Sequence, residues 1–200
     1  MASKLTHTQA ARKTGATLET LVTRILRTFD RATPSDIEAG ARWYDEAGDL
    51  ATELGARTGH GRLVAAAVIA PLSPRTTWTR NVDGAVRLLE TDGASILPGL
   101  IGRNAANAQS IIRDGWDDPA ESFNGPKTAR FYANIIGDRE AVTVDVWAAR
   151  VAGVDEDKLG LTGVYDALEH AYRLAARRRG VDPATMQATT WVVARNGRAS

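Results

Sequence analysis

Apolar residues recur along most of the chain with the spacing of a buried helix face, and no strand ladder stands out. Leu18, Leu21, Val22, Ile25, Leu26 and Phe29 mark one helix between Ala16 and Ala32. Thr33-Pro34 breaks it, and Ser35 to Glu38 reads as a capping box opening the next. Ile37, Ala41, Tyr44, Ala47, Ala51 and Leu54 give that second helix its inner face, up to the stop at Thr58–Gly61. Leu63–Leu72 is a continuous apolar run that periodicity alone leaves open between buried strand and buried helix; its alanines favour helix. Ser73–Asn81 then supplies a polar loop and a helix start, and Asp92-Gly93 and Pro98-Gly99 are turns. Further helices are predicted over Asn104–Arg113, over Thr162–Arg179 up to Gly180, and from the Asp182-Pro183 cap onward. In that last helix Gln187, Trp191 and Arg195 are four apart, with Trp191 expected in the core and Arg195 at an exposed end. Residues 1–15 read as a polar, frayed start, Trp116–Pro119 as a turn, and Val154–Lys158 as an acidic loop. The fold class is all-α.

The stretch from Asn124 to Val151 carries the most local information. Asn124-Gly125-Pro126 forms a turn that opens a helix, because glycine permits unusual dihedrals and proline suits a first helical position. That helix is predicted to run to about Ile136, with Gly137 ending it. An extended Ala141–Val144 follows, and Asp145 stands where an N-cap would start another helix. Lys127 and Asp145 thus each lie at a helix start, a place that favours anions.

Composition narrows the classes. Two hundred residues suffice for one domain with a core, or two small lobes. No run reaches the roughly 20 apolar residues of a membrane helix, and the first residues lack a signal-peptide core, so a cytoplasmic protein is expected. The absence of cysteine excludes disulfides, thiolate metal sites and iron–sulfur clusters. His7, His60 and His170 are far apart in sequence and form no ligand pattern, so neither metal nor cofactor is expected. A net charge of +1 offers no bulk electrostatic argument for nucleic acid. Arg177-Arg178-Arg179 reads either as a solvated helix face or as an edge that tracks phosphates. Trp78 and Asn81 share a helix face and also have two readings. In one, Trp78 packs the core and Asn81 ties down a turn; in the other they stack on and read a base.

Lys127-Thr128-Ala129 and, 18 positions after Lys127, Asp145 in Val144-Asp145-Val146-Trp147, followed by Arg150-Val151, form an ordered set. The set resembles the helix-hairpin-helix (HhH-GPD) DNA glycosylase superfamily, in particular its endonuclease III-like group. The likeness covers residues 63–155, with flanking helices over 16–58 and 162–196, in one domain over 1–200. It implies a two-lobed helical fold with a helix-hairpin-helix motif, and a DNA base-excision enzyme acting on a flipped-out modified or mismatched base. Lys127 and Asp145 would be catalytic. Asn124, Gly125 and Thr128 would grip DNA, and Arg75, Trp78 and Asn81 would meet the displaced base or its neighbours.

Chemically, a carboxylate beside C1′ stabilises the oxocarbenium cation, and an unprotonated amine can trap C1′ as a Schiff base, the route to an accompanying abasic-site lyase step. A positive helix end and partial desolvation would lower the Lys127 pKa in the needed direction. Departures are visible. The family hairpin Leu-Pro-Gly-Val-Gly is here Glu121-Ser122-Phe123-Asn124-Gly125, and Trp147 stands where a His follows the Asp. Pro74 and Arg75 replace a loop Gln that wedges into the duplex, and Asn107 stands where a basic residue is usual. Two further readings remain. One is a phage-type DNA-modifying enzyme on the same scaffold, transferring an amino acid or polyamine to pyrophosphorylated hydroxymethyluracil. The other is a non-catalytic DNA-binding module, in which Asp145 is a plain N-cap and Lys127 a solvated first-turn lysine.

Overall fold

A computed structural model describes residues 5–115 and 118–195, and among these every regular element is helical. The helices are α1 (His7–Arg12), α2 (Leu18–Phe29), α3 (Pro34–Thr58), α4 (Arg62–Leu72), α5 (Trp78–Glu90), α6 (Gly102–Asp114), α7 (Pro126–Ile135), α8 (Val146–Val151), α9 (Val164–Arg179) and α10 (Pro183–Arg195). Short 3-10 turns lie at Pro119–Ser122 and Glu156–Gly160. The chain divides into two compact units, Met1–Tyr44 with Asp138–Ser200, and Asp45–Gly137.

In the first unit α9 is the central element. Its inner face, Val164, Leu168, Tyr172 and Ala175, is buried in one cluster with Leu21, Val22, Ile25 and Phe29 of α2. The arginine run at its end is exposed, and two of its members are paired: Arg178 grips Glu19 with two bonds of 2.7 Å, and Arg179 grips Asp30 at 2.7 and 2.6 Å. These guanidinium groups hold both carboxyls below their ordinary range through hydrogen bonding. Helix α10 is buried on nearly all sides from Pro183 to Thr190. Gly40 of α3 lies hard against it, where an added Cβ would stand 2.2 Å from the Thr189 hydroxyl and 2.6 Å from its backbone nitrogen.

The second unit is built on α4. Ala65 through Leu72 are all buried, which settles the open reading of that apolar run as helix. Its alanines let α5, α6 and α7 pack closely around it. Gly61 donates to Gly55 at 3.0 Å, closing the α3–α4 turn on a glycine whose Cβ would meet the Gly61 carbonyl.

Several expectations are corrected. Residues 1–4 of the expected frayed start lie outside the described residues, and within the rest Thr6 and Gln9 form a capping box for α1, which buries Ala10 and Ala11. The second capping box is Thr33 with Asp36, not Ser35 with Glu38. Asp36 accepts from the Thr33 nitrogen at 2.9 Å, and Thr33 accepts from the Asp36 nitrogen at 3.2 Å. Pro34, read as a breaker, is the first helical residue, where its missing donor costs nothing. The acidic loop at Val154–Lys158 contains a 3-10 turn. Trp191 is half-buried rather than fully in the core, tilted on Trp43 at 4.8 Å with the exposed Arg195 guanidinium over it. Trp116 and Asp117 of the predicted turn lie outside the described residues.

Gly40→Ala tests the α3–α10 approach. Crowding against Thr189 outweighs the better helix propensity of alanine, and a loss of about 1–3 kcal/mol in denaturant unfolding is expected.

Candidate functional site

The segment that precedes α7 sets the geometry around Lys127. The Asn107 side chain donates to the Ser122 carbonyl at 2.9 Å, tying the 3-10 turn to α6. Gly125 then adopts φ 104°, a conformation glycine alone takes without strain, and Pro126 occupies the first helical position. Phe131, Tyr132, Asn134 and Ile135 bury the inner face of α7, and Gly137 follows with φ 106°. Asn124 and Gly125 are exposed, while Lys127 and Thr128 are half-buried. The Lys127 ammonium donates to the Ser73 hydroxyl at 3.4 Å.

That contact links α7 to the loop before α5. Arg75 is exposed and sits at φ 56°, a left-handed conformation that costs a non-glycine residue on the order of 1–2 kcal/mol. Thr77 caps α5 by accepting from the Arg80 nitrogen at 3.3 Å. Trp78 is half-buried and meets Phe131 of α7 edge-on at 6.5 Å. Asn81 is 1% exposed, yet its side-chain oxygen has no hydrogen-bond partner, so it does not tie down a turn through that atom. The Thr76 hydroxyl oxygen is likewise buried and unpaired. A buried polar atom without a partner costs about 1–3 kcal/mol. Lys127, Ser73, Arg75, Trp78, Asn81, Asn124, Gly125 and Thr128 all belong to the unit over Asp45–Gly137.

Asp145 belongs to the other unit, where it caps α8 with its Oδ1 accepting from the Ala148 nitrogen at 2.8 Å. Three buried tyrosines brace the segment around it, Tyr44 through the Thr143 side chain and Tyr165 and Tyr172 through backbone groups. Tyr165 accepts from the Val144 nitrogen at 3.0 Å and donates to the Val142 carbonyl at 3.3 Å. Tyr172 donates to the Ala148 carbonyl at 3.1 Å, and Tyr44 to Gln187 at 2.6 Å. Burial above all, with the Asp145 carboxylate adding to it, pushes the Tyr44 and Tyr172 phenols well above their ordinary range. These hydroxyls therefore act as neutral donors. The signal that could have found two of them is the seven-residue spacing of Tyr165 and Tyr172 on one face of α9. Trp147 carries the Arg150 guanidinium over its ring at 5.0 Å.

A family model described as a family of unknown function, DUF7178, matches residues 7–198. The chain belongs to the DUF7178 family. No curated protein and no solved structure matches it. Among the described residues of this DUF7178 chain, no helix is long and apolar enough to cross a membrane. No group of three or more metal-binding side chains occurs among them either.

His7 and His170, far apart in sequence, are brought together: their rings stack at 4.2 Å and 19°. Burial, then His7, Arg177 and Arg173, hold His170 below the ordinary imidazole value of 6.5. As pH falls through 6.5 the unfolded chain takes up that proton before the folded one, so stability present above this value is lost below it.

Two measurements follow from this geometry. Asp145→Ala should lower unfolding stability by about 1 kcal/mol through loss of the cap, whereas Asp145→Asn, still a good cap, should leave it nearly unchanged. His170→Asn should flatten the fall in thermal midpoint between about pH 7 and pH 5.

Proposed function

We propose that this chain is a DNA base-excision glycosylase, with Lys127 as the amine that attacks C1′ and Asp145 as the carboxylate that stabilises the cationic sugar. The observation that carries the reading is the placement of Lys127. It lies half-buried in the first turn of α7, entered through an exposed Asn124-Gly125 turn and beside a polar loop that presents Arg75 and Trp78. Backbone donors at such a helix start suit a phosphate, which would hold the strand while a base turns out of the stack. Trp78 offers an aromatic face of the kind that accepts an unstacked base. Asp145 uses one oxygen as a cap, a bond that orients its carboxylate.

In the reaction the glycosidic C1′–N bond breaks, its electron pair leaves with the base, and the base takes up the proton that the attacking Lys127 nitrogen releases, with Asp145 to pass it on. The unprotonated Lys127 amine forms a bond to C1′. Ring opening gives a Schiff base that water hydrolyses, releasing an abasic site and regenerating the amine.

Borohydride trapping tests this. Duplexes carrying uracil, hydroxymethyluracil, a thymine–guanine mismatch or oxidised guanine are incubated with the protein, and crosslink and product mass are read. A covalent adduct on one substrate is expected, absent in Lys127→Ala. Asp145→Asn should slow its formation on the order of a hundredfold or more without loss of folding. An intact strand carrying a heavier base, seen with pyrophosphorylated hydroxymethyluracil and an amine donor, would assign the phage-type transfer reading instead. No adduct and no altered base on any substrate, with DNA affinity merely shifted in the Lys127→Ala and Asp145→Asn double variant, would leave a DNA-binding module and end the enzymatic reading.

A further inference from the structure

Within one loop and the helical turn that follows it, three costly features gather. Arg75 lies at φ 56°, the Thr76 hydroxyl oxygen is buried without a partner, and so is the Asn81 side-chain oxygen. Buried polar atoms are paired in the great majority of cases, so two orphans this close together call for a reason. Fold stability does not supply one. Asn81 is 1% exposed in the first turns of α5, packed where a leucine of similar size would fill the space and leave no unpaired oxygen.

We propose that Asn81 is the base-reading residue of the Asp45–Gly137 unit: its side-chain oxygen accepts a hydrogen bond from an N–H on the edge of a planar heterocyclic base. This rests on the reading of the chain as a protein that receives a displaced base. The oxygen can only accept, so the ligand atom facing it must be a donor. Trp78, one turn earlier on the same face of α5, supplies an aromatic wall suited to a flat ring. Base entry would have to displace the groups that cover this oxygen, and the left-handed Arg75 lies six residues before it. Strain and unpaired groups of this kind persist where binding relieves them.

The test is binding of the full chain, with Lys127→Ala to prevent covalent capture, to duplexes holding one mispaired test base, followed by fluorescence anisotropy at fixed salt. The probes are uracil against 3-methyluracil, and adenine against N6,N6-dimethyladenine; thymine bears the same methyl on carbon and controls for bulk. Losing the N–H should weaken binding roughly tenfold or more in one of the two pairs. Asn81→Leu should bind both members of that pair equally and melt at a higher temperature than the parent. Equal binding of methylated and unmethylated probes in both pairs overturns the proposal, and needs no variant at position 81. So does a lowered melting temperature in Asn81→Leu, which would make the carboxamide a structural group. A Lys127-dependent adduct without sensitivity to N-methylation removes this inference and leaves excision standing. Sensitivity to N-methylation without any adduct does the reverse.

Discussion

The extended run Ala141–Val144 poses the constraint on which the first unit depends. These residues are buried, yet the described residues include no strand that could pair with their backbone. Each amide must find another partner or cost the free energy of an unmade bond. Side chains supply those partners. Asp138 accepts from the nitrogens of Glu140 and Ala141, Arg173 donates to the Glu140 carbonyl, and Tyr165 serves both Val142 and Val144. Beyond Asp145, Tyr172 takes up the Ala148 carbonyl. Arg24 of α2 bonds the carbonyls of Ala152 and Gly153, past the end of α8, at 3.2 Å each. The short helix behind Asp145 is too brief to be stable alone. It exists because α2, α9 and α10 hold it from several sides.

The second unit solves a different problem. Its centre, α4, is apolar around its whole circumference from Ala65 onward, so it must be enclosed, and small side chains make the enclosure tight. That close packing contrasts with the loop immediately after it, where a left-handed arginine and the unpaired Thr76 hydroxyl are tolerated, and with the first turns of α5, where the Asn81 oxygen is unpaired. Stability is concentrated in the helix and relinquished in the loop. Functional surfaces are commonly arranged this way, with a costly local conformation over-determined by its surroundings.

Much of this was legible one residue at a time. The inner faces of α2, α3 and α9 follow from 3.6-residue spacing, and the cap at Asp145 from the preference of aspartate for that position. The Gly125-Pro126 entry and the stop at Gly180 follow from backbone freedom and its loss. Local errors arose where two local signals competed. Thr33-Pro34 carries both a stop and a start, and Ser35-Glu38 mimics the capping box that Thr33 and Asp36 make. Helix α1 leaves no period in the sequence, because its six residues offer only Ala10 and Ala11 to the core.

The sequence by itself determined the helical class, most helix ends, and the places of Lys127 and Asp145 at helix starts, because these depend on neighbours within a few residues. Tertiary structure alone decided that Tyr44, Tyr165 and Tyr172 brace Asp145's segment, that Lys127 meets Ser73, that His7 stacks on His170, and that Asn81 is left unpaired. Each of those facts joins side chains through space or depends on the whole surrounding shell of donors. Neither periodicity nor propensity encodes which polar atoms a packed interior will leave without partners.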